Sequence, residues 1–482
     1  AGLLLGAAGP ALGDAVTRSI WPRRRPSGPP VEPSLQAVPM VAVGDVVEQA
    51  QLGGLTAFVV ADVATGRVLD QVNADQPMPP ASVAKTLTAL YGLERLGPDH
   101  RFVTRVMTVG HLVGGRLDGD LVLVGGGDPT LDSDKLGDLV ADLARKGLRQ
   151  VTGRFLAYAG ALPTFERIAD DQPVQVGYNP GLSGLGLNFN RVNFEWTKGG
   201  ARTQMNARGE RFVPKVKMAR IKVVAREAPL FGFSKGLGTE DWTVAQVGLE
   251  QAGSRWLPVR QVAIYTAEVF RTLCAAQGID LPPPLIVQNM PAGAKALVDW
   301  PSDALATILK QMLKFSTNIT AETVGLTASG ADSLAASASK VQDWARSRLG
   351  LAATLVDHSG LGAASRVTAS GMVRALMAGD RALGLRPVLR DIGMRDNSGN
   401  EIKDSPVKVV GKSGTLNFVS GLVGFITPPG GQDLCFAIFS ADVARRQAVP
   451  MADRENPPGE DDWVARAHLM QARLINRWVA MA

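Results

Sequence analysis

Both ends of this 482-residue chain alternate strand-like runs with helical patterns, whereas residues 104–300 are rich in glycine, turns and short β-like runs. A chain of this length exceeds one ordinary hydrophobic core, so two or three domains are expected. Like material at the two ends and unlike material between them is explained most simply by one domain split by an insertion. The expected class is α/β of the α+β kind: a strand-and-helix domain at 39–103 and 301–482, interrupted by a β-rich region at 104–300. That region is expected to form two subdomains, 104–131 with 207–300, and 132–206.

The local patterns give this outline its parts. Residues 55–76 read as a hairpin turning at Ala64-Thr65-Gly66-Arg67, where the glycine permits the turn. Pro79-Pro80-Ala81 follows, then a helical pattern with apolar residues at Val83, Ala84, Leu87, Leu90 and Leu93. Pro80 stops the preceding strand, and Ser82 stands where the helix begins. In the middle, 121–124, 174–177, 188–196 and 216–225 read as strands, with helical patterns at 133–146 and 262–277. After Pro301 helical patterns occupy 304–315, 320–327, 334–349 and 370–378. Strand-like runs follow at 407–410, 419–426 and 434–440, the last two joined as an antiparallel pair by Pro428-Pro429-Gly430-Gly431. An amphipathic helix from about 461 to 481 closes the chain.

Composition excludes several classes. Hydrophobic content of 45% and charged content of 20% belong to a globular protein, not a disordered one. No apolar run reaches the roughly 18–20 residues of a membrane-spanning helix. The nearest, residues 1–13, reads as the apolar region and cleavage zone of a signal peptide, with a loose N-terminal tail as the alternative. Residues 21–33, with Arg23-Arg24-Arg25 and five prolines, read as an exposed linker. These readings make 1–38 a signal remnant and linker, and the protein an exported, periplasmic or extracytoplasmic one. The net charge of +6 is scattered, so nucleic acid is not an expected partner, while an anionic cell-wall or membrane surface suits a peripheral association. Cys274 and Cys435 each sit in an apolar run and read as buried free thiols. Four histidines and two cysteines at no ligand-like spacing predict neither a metal site nor a cofactor.

Three short motifs occur in order: Ser82-Val83-Ala84-Lys85, Ser316-Thr317-Asn318 and Lys412-Ser413-Gly414. Positions i and i+3 share a helix face, so Lys85 can reach the Ser82 hydroxyl. A serine is a poor nucleophile until a neighbouring base takes its proton. A lysine can be that base once burial or another cation lowers its pKa toward neutrality. Lys412 can supply that cation and attract a substrate carboxylate, Ser316 can relay protons, and Asn318 can hold a substrate amide. Singly the motifs are weak, since Ser-x-x-Lys recurs at 337–340 and 405–408 and Ser-x-Asn at 398–400. Order and context give them weight.

With these motifs stand Pro80-Ala81-Ser82, the run at 119–131 (GDLVLVGGGDPTL), 185–192 (LGLNFNRV), Asp357-His358-Ser359-Gly360-Leu361 and Ser420-Gly421-Leu422-Val423-Gly424. Over roughly 40–480 the chain resembles the D-alanyl-D-alanine carboxypeptidase/endopeptidase family, the class C low-molecular-mass penicillin-binding proteins. The long interval from Lys85 to Ser316 is the hallmark of that resemblance. It implies a penicillin-binding transpeptidase-like domain, an antiparallel sheet flanked by helices, with inserted β-rich domains. It further implies that Ser82 is acylated with Lys85 as base, that Ser316 and Asn318 relay protons and hold substrate, and that Lys412 and Ser413 bind the terminal carboxylate. Gly414 and Thr415 are candidate substrate-binding residues beside them, and the N–H groups of Ser82 and Thr415 would form the oxyanion hole. Implied partners are peptidoglycan stem peptides and β-lactam antibiotics. Two positions depart from the family pattern: His358 replaces a usual glycine, and Ala363 replaces an arginine that grips the stem side chain, with Arg366 three residues on. Both His358 and Arg366 are kept as candidate substrate-binding residues.

Rival readings are discriminated by context. Gly232-Phe233-Ser234-Lys235-Gly236 fits a nucleophile elbow with Asp357 and His358 as nominal partners, but Ala228-Pro229 and Gly236-Leu237-Gly238 predict a loop there. Gly125-Gly126-Gly127 predicts a turn rather than a phosphate site, because no Gly-Lys-[Ser/Thr] follows. A β-lactamase-like hydrolase would need a carboxylate for its deacylating water, for which only Glu401 and Asp404 lie near Lys412. A non-catalytic peptidoglycan-binding protein of the same fold would not need Ser82, Lys85, Ser316, Asn318 and Lys412 together.

Overall fold

A computed structural model describes residues 43–482, so the segments read in 1–38 lie outside the described residues. The first part comprises α1 (Val43–Gln49), β1 (Leu55–Asp62), β2 (Val68–Val72) and α2 (Lys85–Leu96). Then come β3 (Val103–Val113), β4 (Arg116–Val124), α3 (Ser133–Arg145), β5 (Gln150–Val151), β6 (Phe155–Tyr158), β7 (Arg191–Trp196) and β8 (Thr203–Asn206). Next are β9 (Ala219–Val224), β10 (Phe231–Lys235), β11 (Glu240–Ala245), β12 (Gly253–Pro258), α4 (Val262–Ala276), β13 (Pro284–Val287) and β14 (Lys295–Pro301). The last part holds α5 (Leu305–Phe315), α6 (Asn318–Ser329), α7 (Leu334–Leu349), α8 (Ala369–Leu383), β15 (Arg390–Asp391), β16 (Lys408–Leu416), β17 (Val419–Thr427), β18 (Leu434–Ala441), α9 (Val443–Ala448) and α10 (Glu460–Val479).

The two ends of the described chain meet in one sheet of order β15-β16-β17-β18-β1-β2. β1 runs antiparallel to β18 from Leu55 opposite Ala441 to Asp62 opposite Leu434. The β1–β2 hairpin turns where expected, with Asp62 accepting from the Thr65 backbone and hydroxyl. The apolar runs of β17 and β18 are covered on both faces. On one face α2 and α5 to α8 bury Leu87, Leu90, Met312, Val324, Trp344 and Leu376 against Val423 and Phe439. On the other face α10 turns Trp463, Ala467, Met470, Leu474 and Trp478 inward, the three-and-four spacing of a one-sided apolar helix. This is the antiparallel sheet flanked by helices that the sequence leads one to expect.

Residues 103–301 build a second core from Phe155, Phe194, Trp242, Tyr265 and Phe270. Its sheets run β13-β6-β4-β3-β14, β10-β11-β9 and β12-β7-β8. The finer division expected here does not follow the sheets. β6 lies in the stretch 132–206 yet pairs parallel with β4, and β7 pairs with β12. β6 is paired on both edges, by β4 and by β13, and its Phe155, Leu156 and Ala157 are buried on the two faces of that sheet. Two more local expectations change. Residues 174–177 form turns whose Val174 carbonyl is taken by the buried Arg260 guanidinium, not a strand. Residues 232–235 are strand, not loop, because β10 pairs with β11 throughout. Cys274 and Cys435 are buried free thiols.

Candidate active site

The site forms where the start of α2 and the α5–α6 junction meet the middle of β16. Ala81 takes a left-handed conformation, φ 45°, then a single 3-10 turn over Ala81–Ala84 leads into α2. Ser82 therefore sits in that turn, half-buried, and Lys85 opens the α-helix proper, fully buried. α5 ends at Ser316, itself left-handed at φ 59°, and α6 starts at Asn318, so both side chains project at one corner. β16 brings Lys412 alongside. Its Gly414 lies so close to the Ser82 turn that a Cβ there would stand 2.8 Å from the Pro80 oxygen and 2.9 Å from the Ser82 nitrogen. From behind, Gly360 at φ +76° faces Ala81, whose oxygen would be 1.8 Å from an added Cβ. Only glycine allows either approach.

The expected catalytic residues are brought together. Lys85 Nζ donates to Ser82 Oγ at 2.8 Å, to Asn318 Oδ1 at 2.7 Å and to the Ser359 carbonyl at 2.8 Å. Lys412 Nζ donates to Ser316 Oγ at 3.0 Å and to the Ser413 carbonyl. Two serine hydroxyls thus each face their own lysine. Burial pulls the Lys85 pKa from 10.5 down to about 7, against the opposing pull of Glu322 and Asp357. Burial also lowers the Lys412 ammonium well below its ordinary value, helped by the positive charges of Lys85 and Arg390. Ser413 Oγ accepts from Arg390 Nη2 at 2.8 Å. On its outer edge β16 is paired by β15 only at Val410 and Gly411, so among the described residues no strand covers that edge from Lys412 to Leu416.

The two candidates taken from the departures lie elsewhere. His358 is buried with its ring against Gly325, and its Nε2 lies 2.6 Å from Ser337 Oγ. Its carbonyl accepts from Thr88, and burial holds the imidazole down at about 3, so it is a neutral packing group. Arg366 folds back on its own loop and donates to the carbonyls of Ala363 and Ser365. The rival elbow also dissolves. Ser234 is an exposed residue of β10, which turns at Gly236 into β11 rather than into a helix. Asp357 accepts from Gly360 and Gly362 within its loop. The decoy Ser337 is buried against His358, while Lys340 donates to the Ser329 carbonyl.

Three contributors carry no motif. Glu322, fully buried, accepts from the backbone N–H groups of His358 and Ser359 and so holds the peptide whose carbonyl receives Lys85. Burial and then Asp357 push its carboxyl up to about 8. Its place four residues after Asn318, on the same face of α6, was a usable signal. The Tyr178 carbonyl accepts from Asn318 Nδ2 at 2.9 Å, a backbone contact across 140 positions that no side-chain pattern announces. Arg390 stands on a two-residue strand too short to read.

A helix-borne serine with a buried lysine at its hydroxyl, facing a strand-borne lysine across a second serine, marks a serine enzyme of acyl transfer. Residues 40–456 match the family described as D-Ala-D-Ala carboxypeptidase 3 (S13), and the chain belongs to that family. A carboxypeptidase of Mycobacterium tuberculosis is 27% identical over 86% of this chain and 86% of its own length. The D-alanyl-D-alanine carboxypeptidase of Actinomadura sp. (strain R39) is 27% identical over 80% of this chain and 77% of its own. Penicillin-binding protein 4 of Haemophilus influenzae shares the fold, with a TM-score of 0.71 at 18% identity over 91% of this chain and 100% of that one. A structure of the same protein complexed with a β-lactam gives 0.69 at 20% identity, over 91% and 99%. The chain is thus a serine D-Ala-D-Ala carboxypeptidase and low-molecular-mass penicillin-binding protein of a cell-wall-acting family. Among the described residues no helix is long and apolar enough to cross a membrane.

Proposed function

We propose that Ser82 forms the acyl-enzyme with peptidoglycan stems ending in D-Ala-D-Ala, and that it is acylated in the same way by penicillins. The observation that carries this is the 2.8 Å contact between Ser82 Oγ and a lysine whose pKa burial has lowered to about 7. Neutral Lys85 takes the Ser82 proton as Oγ attacks the penultimate carbonyl carbon. The oxyanion so formed meets the N–H groups of Ser82 and Thr415, which the close contact at Gly414 sets side by side. Such donors are each worth on the order of 10²–10³ in rate. Collapse breaks the peptide bond, and the leaving amine takes a proton through Ser316, which Lys412 replenishes. Water then attacks the ester, its proton passing through Ser316 to Lys412 while Lys85 returns its proton to Ser82 Oγ, which frees the shortened stem and restores Ser82.

Asn318 holds the substrate amide, and the uncovered edge of β16 at Lys412–Leu416 receives the peptide as an added strand. Lys412, Ser413 and Thr415 face its terminal carboxylate. Cleavage of D-Ala cross-links follows the same steps with a bulkier amine leaving. The domain at 39–103 and 301–482 supplies the chemistry and the insertion at 104–300 forms the far wall, through Tyr178. Work on peptidoglycan supports a reading of the chain as an exported or periplasmic protein, acting outside the cytoplasm.

Incubation with benzylpenicillin tests this: intact mass should rise by one adduct, mapping to the peptide that contains Ser82. An unchanged mass would falsify the assignment of Ser82. An adduct lasting hours marks a peptidase, and one lost in milliseconds a β-lactamase.

A further inference from the structure

Arg390 stands on β15 opposite Gly411, which puts its guanidinium beside Ser413, two residues along the same face of β16. Nη2 donates to Ser413 Oγ at 2.8 Å, leaving the hydroxyl proton of Ser413 free to point outward. Its Nε is buried and unpartnered. Among the described residues Arg390 makes no ion pair, although it is half-buried and lines a cavity of about 830 Å³ bounded by β15, β16 and α10. Ser413 and Thr415 line that cavity too. A half-buried guanidinium without a carboxylate is costly unless a ligand supplies one.

Lys412, the cation that the motif offers for the terminal carboxylate, is already engaged by Ser316 and the Ser413 carbonyl. Its ammonium is also the one that burial and its neighbours drive toward neutrality. A guanidinium does not deprotonate in proteins and presents parallel N–H donors to a carboxylate. We propose that Arg390 is a specificity-determining residue, the permanent cation that, with Ser413, selects peptides whose departing residue carries a free carboxylate. This rests on the acyl-transfer reading of Ser82 and adds a selection rule to it. The leaving residue then lies between the lysine pair and the cavity, with its carboxylate directed at β15.

The test compares the wild type with Arg390→Gln and Arg390→Lys on one peptide made in two forms, ending in D-Ala-D-Ala acid and in D-Ala-D-Ala amide. The Gln variant should lose about 10- to 100-fold in kcat/KM on the acid, mainly through KM, as expected for one charge-assisted contact. Its rate on the amide should stay within about twofold, and the Lys variant should recover part of the preference. Acylation by benzylpenicillin and by its methyl ester, read by mass, should show the same collapse of preference without needing amide turnover. Equal losses on acid and amide, or an unchanged preference, would overturn the proposal while leaving Ser82 as nucleophile. A wild type inert to all four compounds would overturn the acyl-transfer reading itself.

Discussion

With its ammonium buried and held by Ser82, Asn318 and the Ser359 carbonyl, Lys85 gives up its proton near pH 7 rather than near 10.5. Only the neutral amine can accept the Ser82 proton. The acylation rate should therefore rise with pH through about 7 and level off above it, read as penicillin adduct formed against time. Replacing Lys85 with Ala should slow acylation by about 10²- to 10⁴-fold, the usual worth of a positioned base; normal acylation in that variant would remove Lys85 from the role. Glu322 would raise the Lys85 pKa when charged, but its own carboxyl is pushed up to about 8, so it is largely neutral where Lys85 titrates. Glu322→Gln should therefore leave the acylation midpoint close to 7. It should also lower stability by about 1–3 kcal/mol, because one of two buried N–H groups loses its acceptor. A midpoint shifted to lower pH, measured beside a denaturation curve, would show instead that Glu322 is charged there and acts on Lys85.

At the scale of elements, the contact between β16 and the Ser82 turn decides whether nucleophile, base and oxyanion donors share one geometry. Gly414 is the point of closest approach, with backbone atoms of Pro80, Ser82 and Val83 at 2.8–2.9 Å from where a side-chain methyl would stand. None of these is a flexible side-chain end, so Gly414→Ala must push strand and turn apart. Displacements of this size in a catalytic array cost about 10² in rate. The expected outcome is acylation slowed by that factor, with Lys85 still titrating near 7. The motifs on these elements were legible, because Ser82, Lys85, Ser316 and Asn318 sit at element ends with a recognisable spacing, and Lys412 opens a short motif on β16. His358 and Arg366 were misread because sequence position beside Asp357 says nothing about which way a loop side chain turns. The ring of His358 found the space that Gly325 leaves on α6, and there its Nε2 meets Ser337.

Across the whole molecule, the insertion is fastened to the catalytic part at points distant in sequence. Arg255 and Gln175 both engage Glu455, and Arg454 donates to the Asp171 carbonyl. These hold the loop whose Tyr178 carbonyl receives Asn318. Glu455→Ala should cost no more than about 1 kcal/mol overall, since the pair is partly exposed. Hydrogen exchange should nevertheless quicken across residues 165–182, and unchanged protection there would show that the loop does not depend on Glu455. The sequence by itself determined the split-domain outline, the helix and strand material of each part, and the five residues that the fold brings together and to which acylation is proposed. These are written in local periodicity, in turn residues and in short spacings along single elements. Only the tertiary structure decided how the insertion's strands pair, that Tyr178, Glu322 and Arg390 reach the site, and that His358 turns away from it. Those outcomes depend on which surfaces meet across tens to hundreds of residues, and burial at those meetings lowers the Lys85 pKa to about 7.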